Sequence, residues 1–433
     1  MELTYSSTGF ILRSSTTNFL LEKCRVHRQG TGERSFHIFY QLCRAAEYAT
    51  NALASSYDDN GEPLSPMVSY ASTLDSQADG QREGGGEAKG HCSVLDDADF
   101  LRSLSLGPPE QFDYLSQSGC VNITGLDDVR GLIATESAAS TLGLGEQSVR
   151  SLFALCAAVL HLGNICFRDT NTADGMEYCE VMDDDKCKRA LRSVSLLLGL
   201  SEQDLVQGLS SREISIRGER TTVRLTARQS LESRDALSKS LFSNAFNWIV
   251  RNVNVTFTPP VQSAARRPSI AVGAKSKENF IGILDIFGFE IFDSNSLEQL
   301  CINYANEKLQ ELFNRNVFKK EEQLYSEEGI PFDELIFADN QDVLNLIEDK
   351  HVGILSIVDD EVNIPRATDL TLLRKLNQAH LTAASGNDSG AIKNKVMGSA
   401  ASGKERALVS ASKRFLPATS AANDSFVIDH FAG

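Results

Sequence analysis

Asp285, Gly288 and Glu290, within Asn279-Phe-Ile-Gly-Ile-Leu-Asp285-Ile-Phe-Gly288-Phe-Glu290, have the types and spacing to do chemistry together. From Phe280 to Leu284 every residue is apolar or Gly, a run too short for a helix and bounded by polar Asn279 and Asp285. This predicts a buried strand of a mostly parallel sheet. A carboxylate at the end of such a strand can help hold the Mg²⁺ of a bound nucleotide. A Gly three residues on lets a backbone N–H approach a terminal phosphate with no side chain in the way. An apolar strand followed by Asp is a weak signal alone, and the elements around it decide.

Beyond Glu290 the chain must change from strand to helix. Ser296-Leu-Glu-Gln299 fits a capping box, in which the Ser hydroxyl takes a first-turn N–H while Gln reaches back. Leu297, Leu300, Cys301, Tyr304, Leu312, Phe313 and Val317 then make a helical stripe, expected to be the apolar face of a helix running to about Tyr325. Such a helix would be roughly 45 Å long at about 1.5 Å per residue. By pattern alone it is an ordinary core helix. The whole run from Asp285 to Gln310 resembles switch II and the relay helix of a myosin motor. On that resemblance the helix is a lever rooted beside a phosphate sensor. The implied fold is α/β and related to the P-loop NTPases: a partial central sheet surrounded by many helices, incomplete at both ends.

The rest of the chain supports the resemblance. Leu3 to Leu12 reads as two short strands around a turn containing Gly9, and Gly32 to Leu42 resembles the segment just downstream of switch I. Gln111-Phe-Asp-Tyr114-Leu-Ser-Gln-Ser-Gly119 and His161-Leu-Gly-Asn164 also follow the family. Ser148–Leu162 is apolar nearly all round, predicting a buried helix capped by Gly163, with His161 a satisfied core residue rather than a ligand. Ala227–Val253 predicts a long amphipathic helix stopped by Pro259-Pro260. Residues 55–90 are rich in Gly, Ser, Asp and Glu without periodicity, which predicts a disordered insertion. Residues 259–278 read as a surface loop, with Ser269 beside basic residues as an alternative phosphorylation site. Glu327 to Phe332 resembles the tip of the relay loop, and Gly353 to His380 the actin-binding helix–loop–helix of the lower cleft.

The resemblance divides the chain into an upper cleft part with sheet strands (1–258), the loop (259–278), the switch II strand and relay helix (279–325) and a lower actin-binding part (326–433). It implies actin contacts at Gly353, Ile364, Pro365, Arg366 and Lys375, and at Lys393 and Lys395 in a basic stretch. That stretch, 391–414, carries six basic residues against one acidic in a chain of net charge −16. A mobile basic loop could steer association with an acidic filament; an ordinary solvated loop is the even alternative.

Composition bounds the remaining classes. Forty-two basic against 58 acidic residues argue against a nucleic-acid-binding surface over the whole molecule. No apolar run approaches about 20 residues, and the start lacks a signal-peptide pattern. Nine cysteines without a Cys-x-x-Cys pair suggest reduced thiols in a cytosolic protein. No Gly-x-x-x-x-Gly-Lys-Ser/Thr occurs, because Gly403-Lys404 is followed by Glu405, and no switch I pattern is present.

The expected cofactors are ATP and Mg²⁺. Asp285 would hold the metal through water, the Gly288 N–H would contact the γ-phosphate, and Glu290 would pair with a switch I Arg while ordering the attacking water. Half such a site is not half an enzyme, so this stretch alone is expected to bind no ATP, and whether it is an ATPase is left open. The expected function is part of an actin-based, ATP-driven cytoskeletal motor in the cytoplasm. Its partners would be actin filaments, the rest of a myosin heavy chain and light chains. The alternative is a catalytically inactive actin-binding product. A kinase would need His-Arg-Asp, but Arg234 follows Ser233.

Overall fold

A computed structural model describes residues 1–19, 21–54, 94–171, 177–216, 219–257, 279–292, 295–331, 339–364, 367–381, 414–417 and 425–432. Two compact units follow one another, residues 1–284 and 285–433. The insertion expected at 55–90, the loop at 259–278 and the aromatic Phe332 lie outside the described residues.

The first unit opens on β1 (Glu2–Tyr5) and β2 (Ile11–Ser15), an antiparallel hairpin. Its turn holds Gly9 at φ +85°, a left-handed conformation that favours glycine and fulfils the expected turn. Then come α1 (His37–Ala54), α2 (Asp128–Thr141) and α3 (Glu146–Gly163). The hairpin β3 (Phe167–Asn171) and β4 (Glu177–Val181) follows, with α4 (Asp185–Leu198) and α5 (Glu202–Ser210) after it. A second hairpin, β5 (Ser211–Ile216) and β6 (Glu219–Arg224), leads into α6 (Ala227–Thr256). Local chemistry sets the starts of these helices. Asp127, Asp184 and Ser201 each accept an N–H of the first turn, and Thr226 with Gln229 closes a capping box. The core gathers Phe39, Leu42, Leu101, Leu115, Phe153 and Leu160 in one cluster, and Leu162, Ile165, Phe167, Val194 and Leu205 in a second.

The end of α3 shows how closely this unit is specified. The His161 ring is buried and its Nε2 lies 3.0 Å from Leu104 O, so it is the satisfied core residue expected. Asn164 accepts from Asp113 N and donates to Gln111 O, both at 3.0 Å. Gly163 does not cap the helix as expected: it is the last helical residue, and Asn164, at φ −88°, follows it. A Cβ on Gly163 would stand 2.7 Å from the Tyr114 ring, so close packing explains the glycine.

Burial pushes the His161 imidazole below its ordinary range, with the bond to Leu104 O acting in the opposite sense. In the unfolded chain the ring titrates near its usual value of about 6.5, so below that pH the unfolded state binds a proton the folded state refuses. Stability is therefore expected to fall as pH drops below about 6.5. His161→Gln, whose amide can still donate to Leu104 O, should flatten that slope. Urea midpoints measured from about pH 7.5 to about pH 5.5 check this; a variant with the parent's slope would remove His161 as the cause.

The strand expected to be buried in a parallel sheet is neither buried nor parallel. β7 (Asn279–Gly282) pairs antiparallel with β1, Leu3 opposite Ile281, giving the order β2-β1-β7. The Met1 amino group donates to Ile283 O at 2.8 Å and Ile283 N to Met1 O at 2.8 Å, extending the pairing. All four residues of β7 are exposed, and so are Ile283 and Leu284. No other strand among the described residues pairs with its free edge. All strand pairs among the described residues are antiparallel.

The second unit is built on α7 (Leu297–Phe313), which passes through a π-helical segment at Asn314–Lys319 into α8 (Lys320–Glu328). Helical backbone thus runs on to Glu328, about 48 Å at about 1.5 Å per residue, with a wider turn in its middle where one helix to about Tyr325 was expected. The expected capping box of Ser296 and Gln299 is present, and Gly329 follows α8 at φ +66°. Then come α9 (Gln341–Glu348), α10 (Ile354–Val362), α11 (Asp369–His380) and the antiparallel pair β8 (Phe415–Pro417) and β9 (Phe426–Ile428). Leu346, Ile354, Ile357, Leu376 and Phe415 form its core. No helix among the described residues is long and apolar enough to cross a membrane.

Candidate functional site

The apolar stripe expected to bury α7 does so only in part: Leu300 packs against the core of the second unit, and Ile302 beside it is buried. Leu297, Leu312, Phe313 and Val317 are exposed, whereas Gln299, Asn303, Glu307 and, in the π segment, Asn314 are buried. Gln299, Asn303 and Glu307 stand four residues apart and so share one face. Buried polar groups must be paired, and here each is.

That polar face holds Glu290. The Glu290 N–H donates to Asn303 Oδ1 at 2.8 Å, and Asn303 Nδ2 donates to Glu290 O at 2.8 Å. One side-chain amide therefore clasps both backbone groups of a single residue. Gln299 Nε2 lies 3.4 Å from Glu290 Oε2 while Gln299 Oε1 receives the Ser296 N–H at 2.9 Å, so the cap of the helix also touches the carboxylate. Glu290 is half-buried, with no Arg or Lys in ion-pair range among the described residues. Asp285 and Gly288 are exposed, and a Cβ on Gly288 would meet nothing within 4 Å. The fold of this chain therefore does not itself require a glycine at 288.

The residues expected on the filament side are spread unevenly. Ile364 is exposed, as are Val362 and Leu370. Gly353 is buried at the N-cap of α10, and its Cβ would stand 2.5 Å from both Asp349 N and Asp349 O; packing explains it. Lys375 is half-buried in an ion pair with Glu361, which also accepts from Thr371. Pro365, Arg366, Lys393 and Lys395 lie outside the described residues. Arg414, counted in the basic stretch, bridges Asp342 and Asp429 at 2.8 Å each, so its charge is used within the fold.

The family described as Myosin head (motor domain) matches residues 1–58 and 94–433. The chain belongs to this family. The match passes over residues 59–93, where an insertion was expected. The chain is 35% identical over 380 residues to a myosin-I heavy chain of Dictyostelium discoideum, covering 88% of this chain and 13% of that one. It is 35% identical over 378 residues to myosin-1 of Arabidopsis thaliana, covering 87% of this chain and 26% of the relative. It is also 36% identical over 380 residues to unconventional myosin heavy chain 6 of Caenorhabditis elegans, covering 88% and 15%. The chain thus spans well under a third of the length of these myosins.

Within this myosin-family chain, sequence reasoning found Glu290 and the Gln299 cap but missed Asn303 and Glu307. Their signal was present: three polar residues at four-residue intervals on a helix otherwise rich in apolar side chains.

Proposed function

We propose that this chain is the part of an actin-based, ATP-driven myosin motor that senses the nucleotide and passes the signal toward actin. Asp285 and Gly288 are the nucleotide-facing residues of switch II, and Glu290 is its catalytic carboxylate. The observation that carries the reading is the clasp of Asn303 on Glu290, which fixes the sensor to one end of a helical run about 48 Å long. Asp285 is exposed and the space around Gly288 is open, so both fit one wall of a site for Mg²⁺ and ATP. The metal would supply charge stabilisation for phosphoryl transfer. The chain's own residues present a carboxylate through water at Asp285, an N–H at Gly288 and a positioned carboxylate at Glu290. The fold relationship to P-loop NTPases, the division at 258, 278 and 325, and a cytoplasmic, cytoskeletal location belong to the same proposal.

On the actin side, Ile364, with the exposed Val362 and Leu370 beside it, is the apolar contact. Pro365, Arg366, Lys393 and Lys395 would supply the turn and the steering charges, with the rest of a heavy chain and light chains as further partners. Co-sedimentation of the full 433-residue chain with actin filaments tests this. Binding is expected at low ionic strength and should weaken as salt rises, because exposed charges are screened. Failure to pellet would overturn the actin reading, and salt-insensitive pelleting would remove the basic stretch from it.

A further inference from the structure

One turn beyond Asn303, Glu307 has no exposed surface. Its Oε1 receives His430 Nδ1 at 3.1 Å and the Phe431 N–H at 2.7 Å, and its Oε2 receives Asn340 Nδ2 at 2.5 Å. Asn340 Nδ2 also reaches the Glu307 backbone O at 2.8 Å. Burial pushes this carboxyl up, but the donors from His430, Asn340 and Phe431 outweigh it and hold it below the usual carboxylate range. An ionised carboxylate only accepts, so His430 carries its proton on Nδ1 and its ring is fixed in place. The centroid of that ring lies 5.8 Å from that of Phe289, tilted by 55°, within aromatic contact. Phe289 stands between Gly288 and Glu290.

We propose that Glu307 is a positioning residue for the Gly288–Glu290 segment, acting through His430. The carboxylate fixes the imidazole, the imidazole fixes Phe289, and α7 thereby holds the segment at two points, the Asn303 clasp being the other. A purely structural role would instead have Glu307 tie α7 to the residues after β9 and stop there. What the second point means for a motor rests on the proposed function, but the positioning itself does not. Actin co-sedimentation and the measurement below can therefore fail separately.

Amide hydrogen exchange on the full chain separates the two roles. His430→Phe keeps a ring against Phe289 and removes the donor to Glu307, whereas His430→Asn keeps a donor near the Nδ1 position and removes the ring. Positioning through His430 predicts that both variants speed exchange of the Glu290 amide on the order of tenfold. The Phe431 amide should be strongly affected only in His430→Phe. Glu307→Leu, which removes the acceptor for both His430 Nδ1 and the Phe431 N–H, should speed exchange at Glu290 and at Phe431; if it folds poorly, the His430 variants decide alone. Parent-like exchange at Glu290 in both His430 variants would overturn the proposal. So would acceleration in His430→Asn alone, because the ring would then need no anchor.

Discussion

Arg234→Ala is expected to destabilise the 1–284 unit by about 3–5 kcal/mol, the range for removing one partner of a buried ion pair. The guanidinium is almost fully buried on α6. It donates to Asp235 Oδ1 through Nε at 2.9 Å and lies 2.7 Å from it through Nη2. Nη1 donates to Gly163 O at 3.1 Å and Ile165 O at 2.8 Å, satisfying carbonyls at the end of α3. Tyr114 donates its hydroxyl to the same Asp235 oxygen at 2.6 Å, while its ring lies against Gly163. Alanine would leave two carbonyls and a carboxylate short of partners in one place. Arg234→Lys should recover only part of the loss, because an ammonium cannot reproduce the planar fork. Denaturant unfolding of the two variants and parent, monitored at the single Trp248 on α6, measures the differences. A loss below about 1 kcal/mol for Ala would mean that water replaces the guanidinium without cost, contrary to its burial.

Arg234 and Asn303 show what was legible in the sequence and what was not. Element starts could be read, because a cap is a local event: Ser296 with Gln299 and the Gly9 turn are decided within a few residues. Buried faces of the long helices could not. In α6 the four-residue spacing of Ser230, Arg234, Ser238 and Phe242 is the buried line, and only Phe242 belongs to the apolar stripe. In α7 the buried residues are Gln299, Asn303 and Glu307, with Ile302 beside them. Periodicity in hydrophobicity finds faces that pack on apolar side chains, but these faces pair with backbone groups and side chains far along the chain. The strand Phe280–Leu284 misled for the converse reason: its composition is that of a covered strand, while the described chain covers neither face. The resemblance to a myosin motor survived because it rested on residue identity across many segments rather than on a burial pattern.

Asn303→Ala is expected to release Glu290, and its effect should be much larger on catalysis than on folding. The substitution leaves the Glu290 N–H and C=O without their partner at about 1–3 kcal/mol for each group, reduced because the segment is only half-buried. Helix α7 itself should persist, since its cap at Ser296 and Gln299 is untouched and Ala is a good helix former. In a complete myosin head that carries these residues, actin-activated ATPase should fall on the order of 10²-fold, the scale for a catalytic group displaced by about 1 Å. The loss should appear in kcat rather than KM, because Glu290 is proposed to act on the attacking water and not on nucleotide binding. Asn303→Asp is the sharper control: it keeps the acceptor for the Glu290 N–H but sets a carboxylate against the Glu290 carbonyl. If the clasp transmits the state of the sensor to the helix, Asp should impair the enzyme although it is nearly the same shape. If Asn303 only packs α7, Asp should be tolerated and Ala should lower stability without touching kcat. The two variants together therefore separate a joint in the motor from a filler in its core.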